Sequence, residues 1–112
     1  MAIIVNTNNP EHMLSKIKEA IDNGKIDTWN YDADGDFTHT PKQWIDTAWL
    51  RPVVASGSLI FGLIGKRNDQ MTKVIYAVYH GRFVEMLLTH FDDDFSAANT
   101  TSKKYTGADI FK

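Results

Sequence analysis

The sequence predicts an α+β fold. An antiparallel sheet, made of a hairpin plus a three-stranded meander, carries an N-terminal and a C-terminal helix packed on one face, with a short helix after the hairpin. Three observations lead there. Residues 9–24 and 82–92 repeat apolar side chains at helical spacing. Residues 29–39 alternate in character about a glycine-bearing turn. Residues 50–79 hold three apolar runs, separated by a Ser-Gly-Ser turn and a polar loop. At 112 residues, 43% hydrophobic and 23% charged, the chain suits one globular domain over 1–112 with a single core. Its segment 96–112 reads as weakly structured.

Each element has a local reason. In the first helix Asn9 is placed to cap, Pro10 suits the first turn and Gly24 the end. Met13, Leu14, Ile17, Ala20 and Ile21 form its apolar stripe. In WNYDADGDFTHTPKQW, residues 29–44, Ala33-Asp34-Gly35 reads as a three-residue loop, with Gly35 left-handed at its last position. This pairs Trp29 with His39, Asn30 with Thr38, Tyr31 with Phe37 and Asp32 with Asp36. Trp29, Tyr31, Phe37 and His39 then share one face. A two-residue turn would mix the faces instead. Thr40, Pro41 and Gln43 have capping-box spacing and predict a short helix over 41–48. Strands follow at 50–55, 59–64 and 71–79. Gly62 inside the second predicts a bulge or a close approach by another element. The third is apolar on both faces and reads as central. His80-Gly81 then breaks it, and a helix over 82–92 begins, with Val84, Leu87, Leu88 and Phe91 as its stripe.

Composition excludes several function classes. There is no cysteine, so disulfides, thiolate metal sites and a cysteine nucleophile are all ruled out. The stretch MAIIVNTNNPEHML lacks the basic lead-in and apolar core of a signal peptide. The longest apolar run, residues 59–65, is far short of the ~20 that a membrane span needs. The expectation is a cytoplasmic protein with no membrane partner. A net charge of −2, with adjacent basic pairs only at Lys66-Arg67 and Lys103-Lys104, argues against nucleic acid as a partner.

Few motifs carry chemistry. Asp32, Asp34 and Asp36 alternate like the first ligands of a calcium loop. The sixth and twelfth positions of such a loop are Phe37 and Gln43, not glycine and an acid, so a polar hairpin tip accounts for the aspartates better. No paired-histidine zinc signature is present, and no cofactor is implied. His80 and His90 would stand about 15 Å apart on one continuous helix. The best site for a small anion is the expected strand-to-helix junction at 79–85. There a helix N-terminus and Arg82 would hold the anion, and Glu85 would orient Arg82 or act as a base. His39 and His80 complete a candidate catalytic set with them. An exposed Arg82–Glu85 pair is the plainer account of the same residues. Trp29, Tyr31, Phe37, Trp44 and Trp49 crowd into twenty-one residues, as core or as an exposed contact surface.

Residues 26–95, through DGDFTHTPKQWIDTAWLRP, LIFGLIG and YAVYHGRFVEMLLTHFD, resemble a family of small uncharacterised bacterial proteins, some encoded on mobile gene cassettes. The resemblance implies a bacterial cytosolic origin and transfers no activity and no site residue. The sequence therefore favours a non-catalytic binding module over an enzyme. Its expected partner is another protein or a second copy of itself, met through Trp29, Tyr31, His39 and Trp49. The alternative is a small hydrolase or anion-binding enzyme using His39, His80, Arg82 and Glu85.

Overall fold

The computed structural model describes residues 1–111. It is a mixed α+β fold with a six-stranded antiparallel sheet and two helices. In chain order the elements are β1 (Ile3–Asn6), α1 (Pro10–Asp22), β2 (Trp29–Tyr31), β3 (Phe37–His39), β4 (Ala48–Ala55), β5 (Ser58–Gly65), α2 (Lys73–Phe91) and β6 (Ala97–Thr100). The strands lie in the order β2-β3-β4-β5-β1-β6. No helix among the described residues is long and apolar enough to cross a membrane.

Local chemistry explains the parts that match expectation. Asn9 accepts a hydrogen bond from the His12 amide at 3.2 Å, and Pro10 opens α1. Gly24, at φ +75°, turns the chain out of the helix. The β2–β3 register is the expected one: Trp29 pairs with His39, Asn30 with Thr38 and Tyr31 with Phe37. Gly35 sits at φ +82°, and its amide donates to the Asp32 carbonyl at 3.0 Å.

Three expectations fail. Residues 71–79 are not a strand, and His80-Gly81 breaks nothing: one helix of 19 residues runs through both. Thr72 caps it, accepting from the Ile75 amide at 3.2 Å. The buried residues Tyr79, Phe83, Met86, Leu87 and Phe91 recur at helical spacing across the supposed break. Because Val74 to Tyr79 are apolar at every position, strand and helix periods fit equally well there, and packing decides. The short helix over 41–48 is instead a succession of turns. Its first turn forms, with the Ile45 amide on the Pro41 carbonyl at 3.0 Å, but Asp46 at φ +59° stops it. The weakly structured tail contains an edge strand, β6, paired with β1, and β1 itself was not expected. The meander thus reduces to the β4–β5 hairpin, and β1 takes the place beside β5.

The core gathers alternate strand residues: Ile3 and Val5 from β1, Ala48 and Leu50 from β4, Leu59, Phe61 and Leu63 from β5. Side chains of both helices join the same cluster. Beyond β6, the C-terminal segment returns to β5. The Leu63 amide donates to Asp109 Oδ1 at 2.8 Å, and the Ile110 amide donates to the Leu63 carbonyl at 2.8 Å. This return explains Gly62, since a Cβ there would stand 2.1 Å from the Ala108 carbonyl oxygen. A polar knot ties the 41–47 turn to α2. The Tyr79 hydroxyl donates to the Trp44 carbonyl at 2.5 Å and lies 3.1 Å from the Thr38 hydroxyl, which donates to the Ala48 carbonyl.

Two substitutions test this packing by urea unfolding. Gly62→Ala forces the C-terminal segment off β5 and is expected to cost about 1–3 kcal/mol. Tyr79→Phe removes one of three donors to the Trp44 carbonyl, the Thr47 amide and hydroxyl remaining, and is expected to cost about 0.5–1.5 kcal/mol. A neutral result for either would show that the corresponding contact does not constrain the fold.

Candidate functional site

A cleft of about 430 Å³ opens between the hairpin, the 41–47 turn and α2. One wall carries Trp29, His39, Pro41 and Trp44; the other carries Arg82, Glu85, Met86 and His90. Each wall follows from a local device. The Gly35 turn fixes the hairpin register, which sets His39 opposite Trp29. The continuous turn of α2 places positions 82, 85, 86 and 89 along one side of the helix.

His39 is the best-defined group. Its ring stacks on Trp29, with centroids 4.6 Å apart and planes inclined by 34°. Burial lowers its pKa; the bond to the Thr28 carbonyl pulls the other way, and nearby Arg82 reinforces the lowering. The ring is therefore neutral at pH 7. With Nδ1 2.8 Å from the Thr28 carbonyl oxygen, Nδ1 carries the proton and donates. Nε2 is left with a free lone pair. It is not a buried atom lacking a partner, because no side-chain nitrogen or oxygen of that kind occurs among the described residues. Nε2 therefore reaches solvent at the cleft. Arg82 and Glu85 pair on the rim at 3.4 Å, and both are more than half exposed. Such a pair is worth a few tenths of a kcal/mol and leaves Arg82 available to a ligand.

The structure brings together three of the four candidate catalytic residues: His39, Arg82 and Glu85. His80 is elsewhere. It faces the other side of α2, its Nδ1 2.6 Å from the Tyr76 carbonyl oxygen and its Nε2 2.6 Å from that of Met1. Burial lowers its pKa too and outweighs both carbonyls. The junction expected at 79–85 does not exist. Arg82 lies mid-helix, where backbone amides are spent on carbonyls one turn back, so no anion-binding helix N-terminus is present there. His90 belongs to the cleft and was missed; read as one helix, 82, 85/86 and 89/90 recur on one side.

The proposed contact residues are dispersed. Trp29 and His39 are buried. Tyr31 is half-buried, with its hydroxyl donating to Asp22 at 2.8 Å and Lys18 above its ring at 5.4 Å. Trp49 is half-buried and alternates with the buried Leu50, so it lies on the opposite sheet face. The three aspartates of the hairpin can each bring one oxygen within 4.8 Å of the others. Their chemistry is already taken up locally. Asp32 Oδ1 accepts from the Asp34 and Asp36 amides at 3.0 Å, and the buried Asp36 holds Arg51 through two bonds of 3.0 and 2.9 Å. Compared with protein-family models, with curated proteins and with solved structures, the chain matches none.

The two buried histidines set a pH dependence. Their pKa values are lowered in the folded chain, while the unfolded chain titrates near the ordinary ~6.5. The unfolded state therefore binds protons first as pH falls. Stability is full above about pH 6.5 and declines as pH falls from there toward the lowered folded-state values. Urea midpoints measured from pH 7.5 to 5 are expected to fall, and His39→Gln together with His80→Gln to flatten the decline. A wild-type midpoint constant over that range would refute the assignment.

Proposed function

We propose that this chain is a small-molecule binding module whose site is the cleft between the hairpin, the 41–47 turn and α2. Its ligand carries an anionic group and a hydrogen-bond donor on a compact, partly apolar body. The observation that supports this most is the His39 ring, held by the Thr28 carbonyl with Nε2 open as an acceptor. Arg82, on the facing wall, supplies a forked donor suited to carboxylate. Trp44, Pro41 and Met86 offer apolar surface between them. A volume of about 430 Å³ falls within the range of small-ligand pockets. In this reading both helices cover the sheet face bearing Leu50 and Phe61, which sets the cleft at the rim of the core.

Binding is favoured over chemistry because His39 has a backbone carbonyl, not a carboxylate, behind its Nδ1. The Thr89 hydroxyl, at the cleft, donates to the Glu85 carbonyl at 2.7 Å and is not poised as a nucleophile. The second reading keeps the same atoms and makes Nε2 a general base for hydrolysis, favoured by its fixed tautomer and neutral state.

Nuclear magnetic resonance with lactate, benzoate and inorganic phosphate as probes tests both. Saturable shifts are expected at His39, at the Trp44 indole and at Arg82 with at least one carboxylate. Arg82→Gln is expected to weaken that binding about tenfold, the loss of one charge-assisted hydrogen bond. Absence of saturable shifts at millimolar probe, or indifference to Arg82, would sink the binding reading. Turnover of a simple carboxylic ester that is lost in His39→Gln would replace it with the hydrolytic one.

A further inference from the structure

Helix α2 is apolar on a second side that the described residues leave largely uncovered. Val74, Ala77, Gly81, Val84 and Leu88 follow one another at alternating steps of three and four, the spacing of a helix-packing seam. Val74 is 62% and Leu88 55% exposed, Ala77 and Gly81 are also exposed, and Val84 is half-buried. The seam holds no charge: Arg82 and Glu85, mid-helix, lie on the cleft side.

Beside this seam runs β6, an edge of the sheet. The Thr101 amide donates to the Ala2 carbonyl at 2.9 Å. The two-residue period of an antiparallel ladder then turns Asn99 toward β1 as well. It leaves the amides and carbonyls of Ala98 and Thr100 pointing away from the sheet. Protein edges are usually blunted by charge, proline or bulges. Residues 96–102, SAANTTS, have neither charge nor proline. The opposite edge, β2, is only three residues long and is flanked by Asp27 and Asp32. A groove of about 490 Å³ separates α2 from β6, with Ala77, Gly81 and Val84 on one wall and Ala98 and Thr100 on the other.

We propose that a second copy of this chain occupies this place. The two β6 strands pair antiparallel across a two-fold axis, and the sheet continues from one copy into the next. The two α2 seams pack over that junction. A second copy fits better than a foreign strand because both features are self-complementary. An antiparallel strand satisfies its own outward groups when paired with itself. A line of small residues flanked by Val84 and Leu88 seats the same line of its copy. The seam is about 21 Å long at the helical rise, and the uncharged edge is about 20 Å. A face of roughly 20 Å on a side buries about 800 Å² over both copies, below the ~1,200 Å² of stable interfaces, so the association is weak and concentration-dependent.

Analytical ultracentrifugation of the full chain tests this. A monomer–dimer equilibrium is expected at micromolar concentrations and above. Gly81→Glu is tolerated by the single chain, because a Cβ there meets nothing within 4 Å. Thr100→Pro removes only an outward amide. Each is expected to raise the dimer dissociation constant at least tenfold with circular dichroism unchanged, while Val53→Glu on β4 leaves it unaltered. A chain monomeric at all concentrations overturns the proposal, even one that captures a foreign strand. So does a dimer that survives either variant. If a variant fails to fold, hydrogen exchange on the unmodified chain decides: protection of the Ala98 and Thr100 amides must rise with protein concentration, and constant protection refutes the pairing.

Discussion

The fold hangs on where the ring of Phe83 sits. It meets Trp29 edge-on at 4.9 Å, Phe61 at 4.6 Å and Phe37 at 5.8 Å. One helical side chain thereby joins the hairpin, the central strand β5 and α2. Each such aromatic pair adds about 0.5–1.5 kcal/mol beyond area burial, and the set fixes the rotation of α2 about its own axis. That rotation decides everything outward of the core. With position 83 pointing in, positions 82 and 85 fall beside the hairpin and positions 77, 81 and 84 fall beside β6. The Tyr79 hydroxyl on the Trp44 carbonyl fixes the same rotation one turn earlier.

Much of the first half of the chain was legible in its sequence, for reasons that are local. Asn9, Pro10 and Gly24 bracket α1 by capping chemistry that needs no tertiary partner. The β2–β3 register was legible because Gly35 admits only certain loops and the alternation on either side selects one of them. The failures share a different cause. β6 reads AANT, without an apolar signal, and is a strand because β1 lies next to it. β1 buries Ile3 and Val5 in correct alternation, but four residues give a pattern too short to stand out. At α2, β-branched residues 74, 75 and 78 favour a strand locally, and the burial of Tyr79, Phe83 and Leu87 overrides them.

The same error in α2 governed what could be seen of the site. Near a strand, positions 80 and 82 would point the same way. On a helix two residues differ by about 200°, so His80 and Arg82 face opposite sides. The His80 ring lies between the Tyr76 and Met1 carbonyls, to one of which a neutral ring donates, and Arg82 stays with the cleft. The meeting of His39 with Arg82 and Glu85 spans more than forty residues and is a product of packing alone. The aromatic crowding at 29–49, read as a contact surface through Trp29, Tyr31 and Trp49, is partly core instead: Trp29 and Phe37 are buried, and Tyr31, Trp44 and Trp49 keep partial exposure.

A helix that carries apolar residues on more than one side normally buries each of those sides. Here the hairpin and β5 account for the side bearing Phe83, and the cleft accounts for the side bearing Arg82 and Glu85. The remaining side, from Val74 to Leu88, would be polar if water were its permanent neighbour, since each buried methylene there is worth about 0.8 kcal/mol only when something covers it. The property that disguised α2 as a strand is thus the property on which the proposed dimer rests. The cleft and the seam are also mechanically separate. Rolling α2 to widen one would pull Phe83 from Trp29 and Tyr79 from Trp44, so the proposed ligand would be accommodated by Arg82 and Glu85, which are exposed and loosely paired. Under the two proposals, occupancy of the cleft and association through β6 would be independent equilibria, coupled only as far as that aromatic cluster can be deformed.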